Sequence, residues 1–446
     1  MLMLYEIESR MKRRKNQTIL DGKYSFTYSE VLNFISEFTD ELKLQKYGIL
    51  CESELFAGKA LLACMKNDIT AVMLSRRYGE KYNEKIIENA KLSHVITDEG
   101  GELNIKQIAE VQPEPEDLTN VALIMHTSGT TGTPKGVMLS YENILLNLYA
   151  IKTYFKIDSS DTIFIPRPLC HLAVLTGEFL YGLYKGAKII FCSQDFNAAN
   201  LLKELHESKA TIMAGTPTIF YHLSKMKLRY SQELCLKKIV LSGECMTAET
   251  AKIIRQAFPY AEIYNVYGLT EHSPRVSALP PEKFDEYPTS VGNALPGIWP
   301  IVRGDELMLL SRCAMKGYYN NPKLTAKTIN SGTWLFTGDI AEIDEDGLIY
   351  IKSRKDDMII RAGMNIYPQN IEKILVLQDG IEDVFAYGVR GDITQKICVE
   401  VVTCLTRGEV MKICKNLLPK TEWPDEIKIV EKIKLNASGK KIKSEE

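Results

Sequence analysis

Residues 127–136 have the composition of a loop that binds phosphate. They read TSGTTGTPKG, and they follow an apolar run that we predict to be a strand and precede a predicted helix. Their glycines permit backbone conformations that other residues disfavour, while hydroxyls and exposed amides can donate hydrogen bonds to phosphate oxygens. Lys135 adds a positive charge. Because the glycine spacing differs from G-x-x-x-x-G-K-[ST] and Gly136 replaces its hydroxyl residue, we interpret the loop as another type of nucleotide-phosphate cradle. The simplest alternative is a surface turn.

Six further segments share a family pattern with this loop. They are residues 241–244 (LSGE), 264–271 (YNVYGLTE), 334–339 (WLFTGD), 353–357 (SRKDD), 360–368 (IRAGMNIYP) and 436–440 (NASGK). In this order they resemble the motifs of the adenylate-forming (AMP-binding) superfamily, which contains acyl- and aryl-CoA synthetases, peptide-synthetase adenylation domains and luciferase. The resemblance runs from Leu123 to Lys440, with Ser353 where the family usually has glycine.

The resemblance implies a nucleotide site. Tyr267 would lie near adenine, Thr270 would contact the α-phosphate and Glu271 would help to hold Mg²⁺, a hard ion that prefers carboxylate oxygens. Lys135 would hold the departing pyrophosphate, and Asp339 would accept hydrogen bonds from ribose. The other nucleotide-binding residues implied are Thr127, Ser128, Gly129, Thr130, Thr131, Gly132, Gly243, Glu244, Asn265, Gly268 and Arg354.

The carboxyl-terminal motifs imply a catalytic lysine, a hinge residue and a residue of the pantetheine tunnel. Lys440 matches the catalytic lysine of the S-G-K element, with Lys441 and Lys443 as alternatives. Asp356 would be the hinge of a domain rotation, and Gly363 would line the pantetheine tunnel.

The acid pocket is implied by residues 166–172 (PRPLCHL). His171 matches a histidine common in acyl- and aryl-CoA ligases, although a packed histidine is the alternative. Gly215 and Thr216 are expected to form another wall. The first acidic residue after His171 is Glu178, and an ammonium buried without a partner is costly, so an α-amino acid substrate is disfavoured.

The resemblance implies an AMP-forming acid–thiol ligase that uses ATP and Mg²⁺. It would convert a fatty or aromatic carboxylic acid to an acyl-adenylate and then to a thioester with CoA or with the pantetheine of an acyl or aryl carrier protein. Two alternatives stay open. One is a stand-alone aryl-acid or amino-acid ligase dedicated to a carrier protein in secondary metabolism, such as siderophore assembly. The other is a non-catalytic homologue.

Alternating patterns predict the elements that position these motifs. Short Val- and Ile-rich runs suit strands buried on both faces, and helical spacing between them, as in Ile144, Leu148 and Ile151 after Ser140, suits covering helices. We predict a large α/β amino-terminal domain, residues 1–353, with parallel-rich sheets covered by helices and carrying the ATP and acid sites. A small mobile α+β domain, residues 354–446, would carry the catalytic lysine.

Composition excludes several classes of protein. The 446 residues include 55 Lys and Arg against 57 Asp and Glu, so no basic domain suggests a nucleic-acid partner. The apolar runs fall short of the roughly 18 residues that a membrane helix needs, and the start of the chain does not resemble a signal peptide. We therefore expect no membrane span and a cytoplasmic protein. The ten cysteines form no C-x-x-C pair, which favours reduced, mostly buried thiols.

Overall fold

The computed structural model describes residues 2–127, 134–192, 197–330, 333–361, 364–390, 395–434 and 441–444. Within these ranges two large mixed sheets and a smaller antiparallel sheet form most of the chain, and a separate small sheet follows near the carboxyl end. Helices cover the large sheets. The predicted fold class, a parallel-rich α/β region followed by a small α+β region, is confirmed.

A nine-stranded sheet carries several of the predicted site residues. Its six central strands run parallel, as expected for short apolar runs buried on both faces. In spatial order its strands are Asn293–Ala294, Arg275–Leu279, Glu262–Gly268, Lys238–Leu241, Ile212–Gly215, Thr162–Ile165, Lys188–Phe191, Thr18–Asp21 and Tyr24–Thr27.

A seven-stranded sheet holds the residues on both sides of the phosphate-loop motif. In spatial order its strands are Gly317–Tyr318, Lys135–Ser140, Val121–Thr127, Thr70–Met73, Lys46–Ile49, His94–Glu99 and Glu102–Gln107. The helix predicted to follow the motif after Ser140 is confirmed at Tyr141–Tyr154, but a strand that was not predicted lies between the motif and this helix. This strand, Lys135–Ser140, pairs antiparallel with Val121–Thr127, and it forms because the Val-Met-Leu run after Gly136 is buried in the sheet.

An antiparallel sheet joins the large region to the small one. Its strands are Ile298–Arg303, Glu306–Ser311, Trp334–Ile343, Ile329–Asn330 and Ile349–Arg354, the last pairing with Trp334–Ile343. A two-stranded pairing follows between Ile359–Arg361 and Met364–Ile366.

The small carboxyl-terminal region has its own core. Its three strands are Ile381–Arg390, Gln395–Thr403 and Glu426–Ile429. They pack with helices Pro368–Leu375 and Arg407–Leu417 in a hydrophobic cluster that runs from Ile359 to Ile427. The boundary between residues 353 and 354 stays a prediction.

Helix starts follow local signals. Ser140 caps helix Tyr141–Tyr154 by accepting a hydrogen bond from Asn143 N at 3.0 Å, which confirms the predicted cap. Proline occupies the first turn of Pro368–Leu375, as predicted. The other α-helices are Leu2–Arg13, Tyr28–Phe38, Glu54–Lys66, Glu80–Asn89, Leu172–Val174, Tyr181–Lys185, Ala198–Ser208, Pro217–Tyr230, Ala248–Ala257 and Pro322–Thr328.

A π-helical segment, Leu175–Leu180, joins Leu172–Val174 to Tyr181–Lys185, so that residues 172–185 form one continuous helix. None of the helices in the described ranges is both long and apolar enough to cross a membrane. All ten cysteines are free thiols, and seven of them are buried.

Candidate active site

Three neighbouring strands of the nine-stranded sheet end at a cavity of about 340 Å³. Strands Ile212–Gly215, Lys238–Leu241 and Glu262–Gly268 run parallel, so the residues at their carboxyl ends meet at one edge, where α/β proteins bind ligands. The large region contributes Gly243, Glu244, Tyr267, Gly268, Asp339 and Arg354, and the small region contributes Glu372, Asp383 and Lys441.

Asp339 lies at the centre of a buried polar cluster in this cavity. Its carboxylate accepts a hydrogen bond from the Tyr267 hydroxyl and forms an ion pair with Arg354 Nε at 2.7 Å. The Asp339 side chain is 3% exposed. Burial raises the pKa of Tyr267, and the Asp339 carboxylate raises the pKa of the Arg354 guanidinium. Both partners therefore stay protonated at neutral pH, and the carboxylate is held in one orientation.

Glu271 is connected to this cluster. It belongs to the short turn Thr270–His272, which follows strand Glu262–Gly268. Tyr318 Oη donates a hydrogen bond to Glu271 Oε1 at 2.8 Å. After Asp339 and Tyr267, Glu271 is a further group that raises the pKa of Arg354. Tyr318 was not predicted as a site residue, because nothing in the local pattern links it to a glutamate 47 residues earlier.

Lys135 reaches the same region from the seven-stranded sheet. It begins strand Lys135–Ser140 and pairs with Thr127. Strand Gly317–Tyr318 pairs with the same strand, so that Tyr318 lies opposite Val137, two residues or about 7 Å from Lys135. Tyr318 thus lies on the strand beside that of Lys135 and contacts Glu271, while Glu271 and Asp339 both act on the charge of Arg354. Ser128, Gly129, Thr130, Thr131 and Gly132 lie outside the described residues.

The turn after strand Lys238–Leu241 requires a glycine. Gly243 has a φ of +92°, a conformation that side chains with a Cβ rarely adopt. The next residue, Glu244, accepts hydrogen bonds from Thr218 N at 3.1 Å and from Thr218 Oγ1 at 2.7 Å. Asn265 is buried and donates to Ser290 O at 2.8 Å, so part of its amide supports the loop beside the cavity.

Gly268 packs against the backbone that follows the Thr270–His272 turn. A Cβ at this position would lie 2.3 Å from Pro274 O. We expect Gly268→Ala to lower the free energy of unfolding by about 1–3 kcal/mol, measured by urea titration. Gly408→Ala is the matched control, because a Cβ there meets nothing within 4 Å. Equal unfolding midpoints for the two variants would contradict this packing argument.

The predicted acid-pocket residues lie on two elements. His171 is half-buried at the start of helix 172–185, with its ring edge-on to Tyr78 at a centroid distance of 6.2 Å. Gly215 ends its strand, and Thr216 Oγ1 caps helix Pro217–Tyr230. Thr216 therefore stabilises the start of this helix, and its contact with an acid stays a prediction.

The lysines near the carboxyl end have different surroundings. Lys441 Nζ donates to Asp383 Oδ1 at 2.6 Å and to Val384 O at 2.8 Å. Burial lowers the pKa of Lys441, but Asp383 and Glu372 more than offset this and raise it overall. Lys443 Nζ donates to Gly388 O at 3.1 Å. Both alternatives to Lys440 are thus engaged within the small region.

The remaining predicted site residues are Asp356, Gly363 and Lys440. Asp356 lies between strands Ile349–Arg354 and Ile359–Arg361, as expected of a connecting segment. Beside it, Lys355 Nζ pairs with Glu306 Oε2 at 2.8 Å. Gly363 and Lys440 lie outside the described residues, and their roles stay predictions.

The residues of the cavity fit a nucleotide and a magnesium ion. A buried carboxylate and an aromatic ring lie together at the carboxyl edge of a parallel sheet. Among the described residues no group of three or more His, Cys, Asp and Glu side chains could hold a metal. One carboxylate, Glu271, suits an ion whose other ligands are phosphates and water.

This fold and this site define an α/β nucleotide-binding protein with a small second region closing over the cavity. A family model described as AMP-binding enzyme matches residues 7–319, and one described as AMP-binding enzyme C-terminal domain matches residues 370–440. The chain therefore belongs to the AMP-binding enzyme family, which confirms the resemblance found in the motifs.

Curated relatives include CoA ligases. The chain is 30% identical over 343 residues to the mitochondrial medium-chain acyl-CoA ligase ACSF2 of Rattus norvegicus, covering 71% of this chain and 55% of that protein. It is 30% identical over 387 residues to a long-chain-fatty-acid–CoA ligase of Salmonella typhimurium, covering 82% and 68%. The chain thus spans little more than half the length of ACSF2.

Solved structures share the fold. The o-succinylbenzoate CoA synthetase of Bacillus subtilis, in complex with its acyl-adenylate intermediate, superposes with a TM-score of 0.82 at 21% identity, covering 97% of this chain and 96% of that chain. The anthranilate CoA ligase AuaEII, in complex with anthranoyl-AMP, gives a TM-score of 0.85 at 19% identity, covering 98% and 95%. At these identities the likeness supports the fold alone.

Proposed function

We propose that this protein is an AMP-forming acid–thiol ligase. It activates a carboxylic acid of the fatty or aromatic class with ATP to an acyl-adenylate and then transfers the acyl group to the thiol of CoA. The observation that carries this proposal is the buried Asp339 cluster with Tyr267 and Arg354, together with Glu271, whose charge also raises the pKa of Arg354. The family membership and the CoA-ligase relatives support the same reaction.

In the first half-reaction, a carboxylate oxygen of the acid attacks the α-phosphorus of ATP. The bond from the α-phosphorus to the bridging oxygen breaks, and pyrophosphate leaves. Such phosphoryl chemistry depends mainly on positioning and charge stabilisation. Tyr267 would contact adenine and Asp339 the ribose hydroxyls, while Thr270 would contact the α-phosphate and Lys135 would hold the pyrophosphate. Glu271 would hold Mg²⁺, which would neutralise charge on the phosphates.

In the second half-reaction, a thiolate attacks the acyl carbon, and the bond from this carbon to the phosphate oxygen breaks to release AMP. We propose that the small region after Asp356 rotates about this residue between the two steps, a hinge-type change. The rotation would withdraw Lys440 from the cavity and bring Gly363 to the entering pantetheine.

ATP–pyrophosphate exchange against a library of carboxylic acids tests the proposal. We expect exchange that depends on the acid and on Mg²⁺, followed by AMP release when a thiol is added. Asp346→Asn is a suitable control for preparations of variants, since Asp346 is exposed in a turn away from the cavity. No acid-dependent exchange across a broad library would favour the non-catalytic alternative.

The thiol acceptor is a separate question. Parallel assays with CoA and with a phosphopantetheinylated carrier protein distinguish the proposed CoA ligase from a ligase dedicated to a carrier. The CoA-ligase relatives support CoA. The cytoplasmic location stays a prediction from the sequence.

A further inference from the structure

A second pocket lies at the edge of the nine-stranded sheet opposite the nucleotide cavity. The chain leaves a helix and enters a strand there three times, at residues 14–17, 155–161 and 186–187. The three strands that follow are parallel neighbours, so their amino ends share this edge. The nucleotide cavity lies at the carboxyl edge of the same sheet. The two sites are therefore separate.

Positive side chains from the ends of the three helices line this pocket. Among the described residues the charged groups in its wall are Arg10, Arg13, Arg14, Lys152 and Lys185, with one acid, Asp158. None of the five cations forms an ion pair with a described acidic side chain. This basic pocket thus has a formal excess of four positive charges.

The helix ends account for only part of that excess. The carboxyl end of a helix carries a partial charge of about −0.5, which attracts cations. Three such ends would balance about one and a half positive charges, so an excess of roughly two to three remains. Because like charges in one place repel each other, the basic pocket is more stable when an anion lies in it.

The surroundings of Lys185 show how closely the cations are grouped. Burial lowers the pKa of Lys185, and the positive charges of Lys152 and Arg10 lower it further, although Asp158 acts in the opposite direction. Arg10 Cζ lies 5.6 Å and Lys152 Nζ lies 6.0 Å from the centroid of the same ring, that of Tyr184. The cations therefore converge on one place instead of spreading over the surface.

The backbone around the basic pocket is held in place. Gln17 Nε2 donates hydrogen bonds to Ser159 O at 2.9 Å and to Gly186 O at 3.0 Å, and so joins all three connecting segments. Gly186 has a φ of +72°, and a Cβ there would lie 3.0 Å from Arg14 Cγ. The pocket volume of about 490 Å³ is in the range of small-molecule sites, about 300–1,000 Å³.

Phosphate is the anion that these side chains suit best. Three of the five cations are arginines, and the planar guanidinium group can bind two phosphate oxygens at once. A phosphate ester carries about 1.5 to 2 negative charges at neutral pH. One phosphate group would leave part of the excess charge unbalanced, and two would balance it.

We propose that the basic pocket binds an anion with at least two phosphate groups. A free polyphosphate and the headgroup of a lipid with two phosphates present the same chemistry, and the experiment below distinguishes them. The inference does not depend on the proposed ligase reaction, because binding is measured without turnover.

Calorimetry with inorganic tripolyphosphate in the absence of Mg²⁺ tests the inference. We expect the unaltered protein to bind this probe, and to bind orthophosphate at least about 10-fold more weakly. The triple variant Arg10→Gln, Lys152→Gln and Lys185→Gln should raise the Kd for tripolyphosphate by about 10-fold or more, since three charge contacts are lost. Tripolyphosphate should also raise the unfolding temperature of the unaltered protein more than that of the variant.

Two controls make the test specific to this pocket. Arg407→Gln, Lys412→Gln and Lys420→Gln together remove the same charges from exposed positions of the small region and should leave the affinity unchanged. Lys135→Ala changes the expected pyrophosphate contact in the nucleotide cavity and should also leave it unchanged. An equal loss in the control triple variant, or a loss in Lys135→Ala alone, would overturn the inference.

Sedimentation with vesicles identifies the source of the phosphates. The probes are phosphatidylcholine vesicles with and without cardiolipin, a lipid that has two phosphates. Sedimentation that needs cardiolipin and is lost in the triple variant assigns the pocket to a lipid headgroup, whereas tripolyphosphate binding without sedimentation assigns it to a free polyphosphate. Binding of neither probe overturns the inference. If the triple variant does not fold, the single variants Arg13→Gln and Lys152→Gln, at exposed positions, provide the same comparison.

Discussion

Replacing Lys440 with alanine is expected to slow ATP–pyrophosphate exchange by about 100- to 1,000-fold. The lysine ammonium would stabilise the charge that develops between the carboxylate and the α-phosphate in the first half-reaction. Thioester formation from supplied acyl-adenylate should be spared, since the small region would have rotated away from that position. Exchange and thioester formation are therefore measured separately on the same preparation.

Two neighbouring lysines make this experiment specific. Lys443→Ala is the matched control, because Lys443 Nζ donates to a backbone carbonyl within the small region. Lys441→Ala tests the competing candidate, which pairs with Asp383 beside the cavity. Unimpaired exchange in Lys440→Ala, or an equal loss in Lys443→Ala, would contradict the assignment of Lys440.

Asp339→Asn is expected to weaken ATP binding by about 10- to 100-fold. The variant keeps the size of the side chain but removes the charge that faces Arg354, and hydrogen bonds to charged groups contribute about 1.5–3 kcal/mol. The loss should appear mainly in the KM for ATP and in the Kd measured by calorimetry. The KM for the acid should change less.

Asp346→Asn provides the control for this second prediction. Asp346 is exposed in the turn between the two strands that carry Asp339 and Arg354. Circular dichroism of both variants checks that the fold is kept. An ATP affinity unchanged in folded Asp339→Asn would remove Asp339 from the nucleotide site.

Local signals allowed much of the architecture to be predicted. The apolar run from Lys238 to Leu241 is a strand at the predicted positions, and the helix predicted after Ser140 begins at Tyr141. Both depend on neighbouring residues, namely a short buried run in one case and a side-chain cap in the other. The strand Lys135–Ser140 was not predicted, because both of its pairing partners lie elsewhere in the chain. The loop separates it from Val121–Thr127, and a long stretch of chain separates it from Gly317–Tyr318.

The site could be predicted only as far as its motifs extend. Asp339 and Glu271 were singled out because each belongs to a recognisable segment. The hydrogen bond from Tyr318 to Glu271 joins distant parts of the chain, and so does the proximity of Arg275 to Glu178. No periodic pattern in the sequence predicts such contacts. Glu178 was noted in the sequence only as the first acid after His171, and its ion pair with Arg167 depends on how helix 172–185 packs.

The hydrogen bond between Tyr318 and Glu271 has a mechanical consequence. Tyr318 belongs to the seven-stranded sheet, while Glu271 follows a strand of the nine-stranded sheet. The Tyr318 hydroxyl thus helps to join the two sheets of the large region at the residue that is expected to hold the metal, beside the hydrogen bond from Met315 N to Glu271 O at 2.8 Å. A displacement of one sheet relative to the other would break this hydrogen bond and move Glu271, so the position of the expected metal ligand depends on how the two sheets pack.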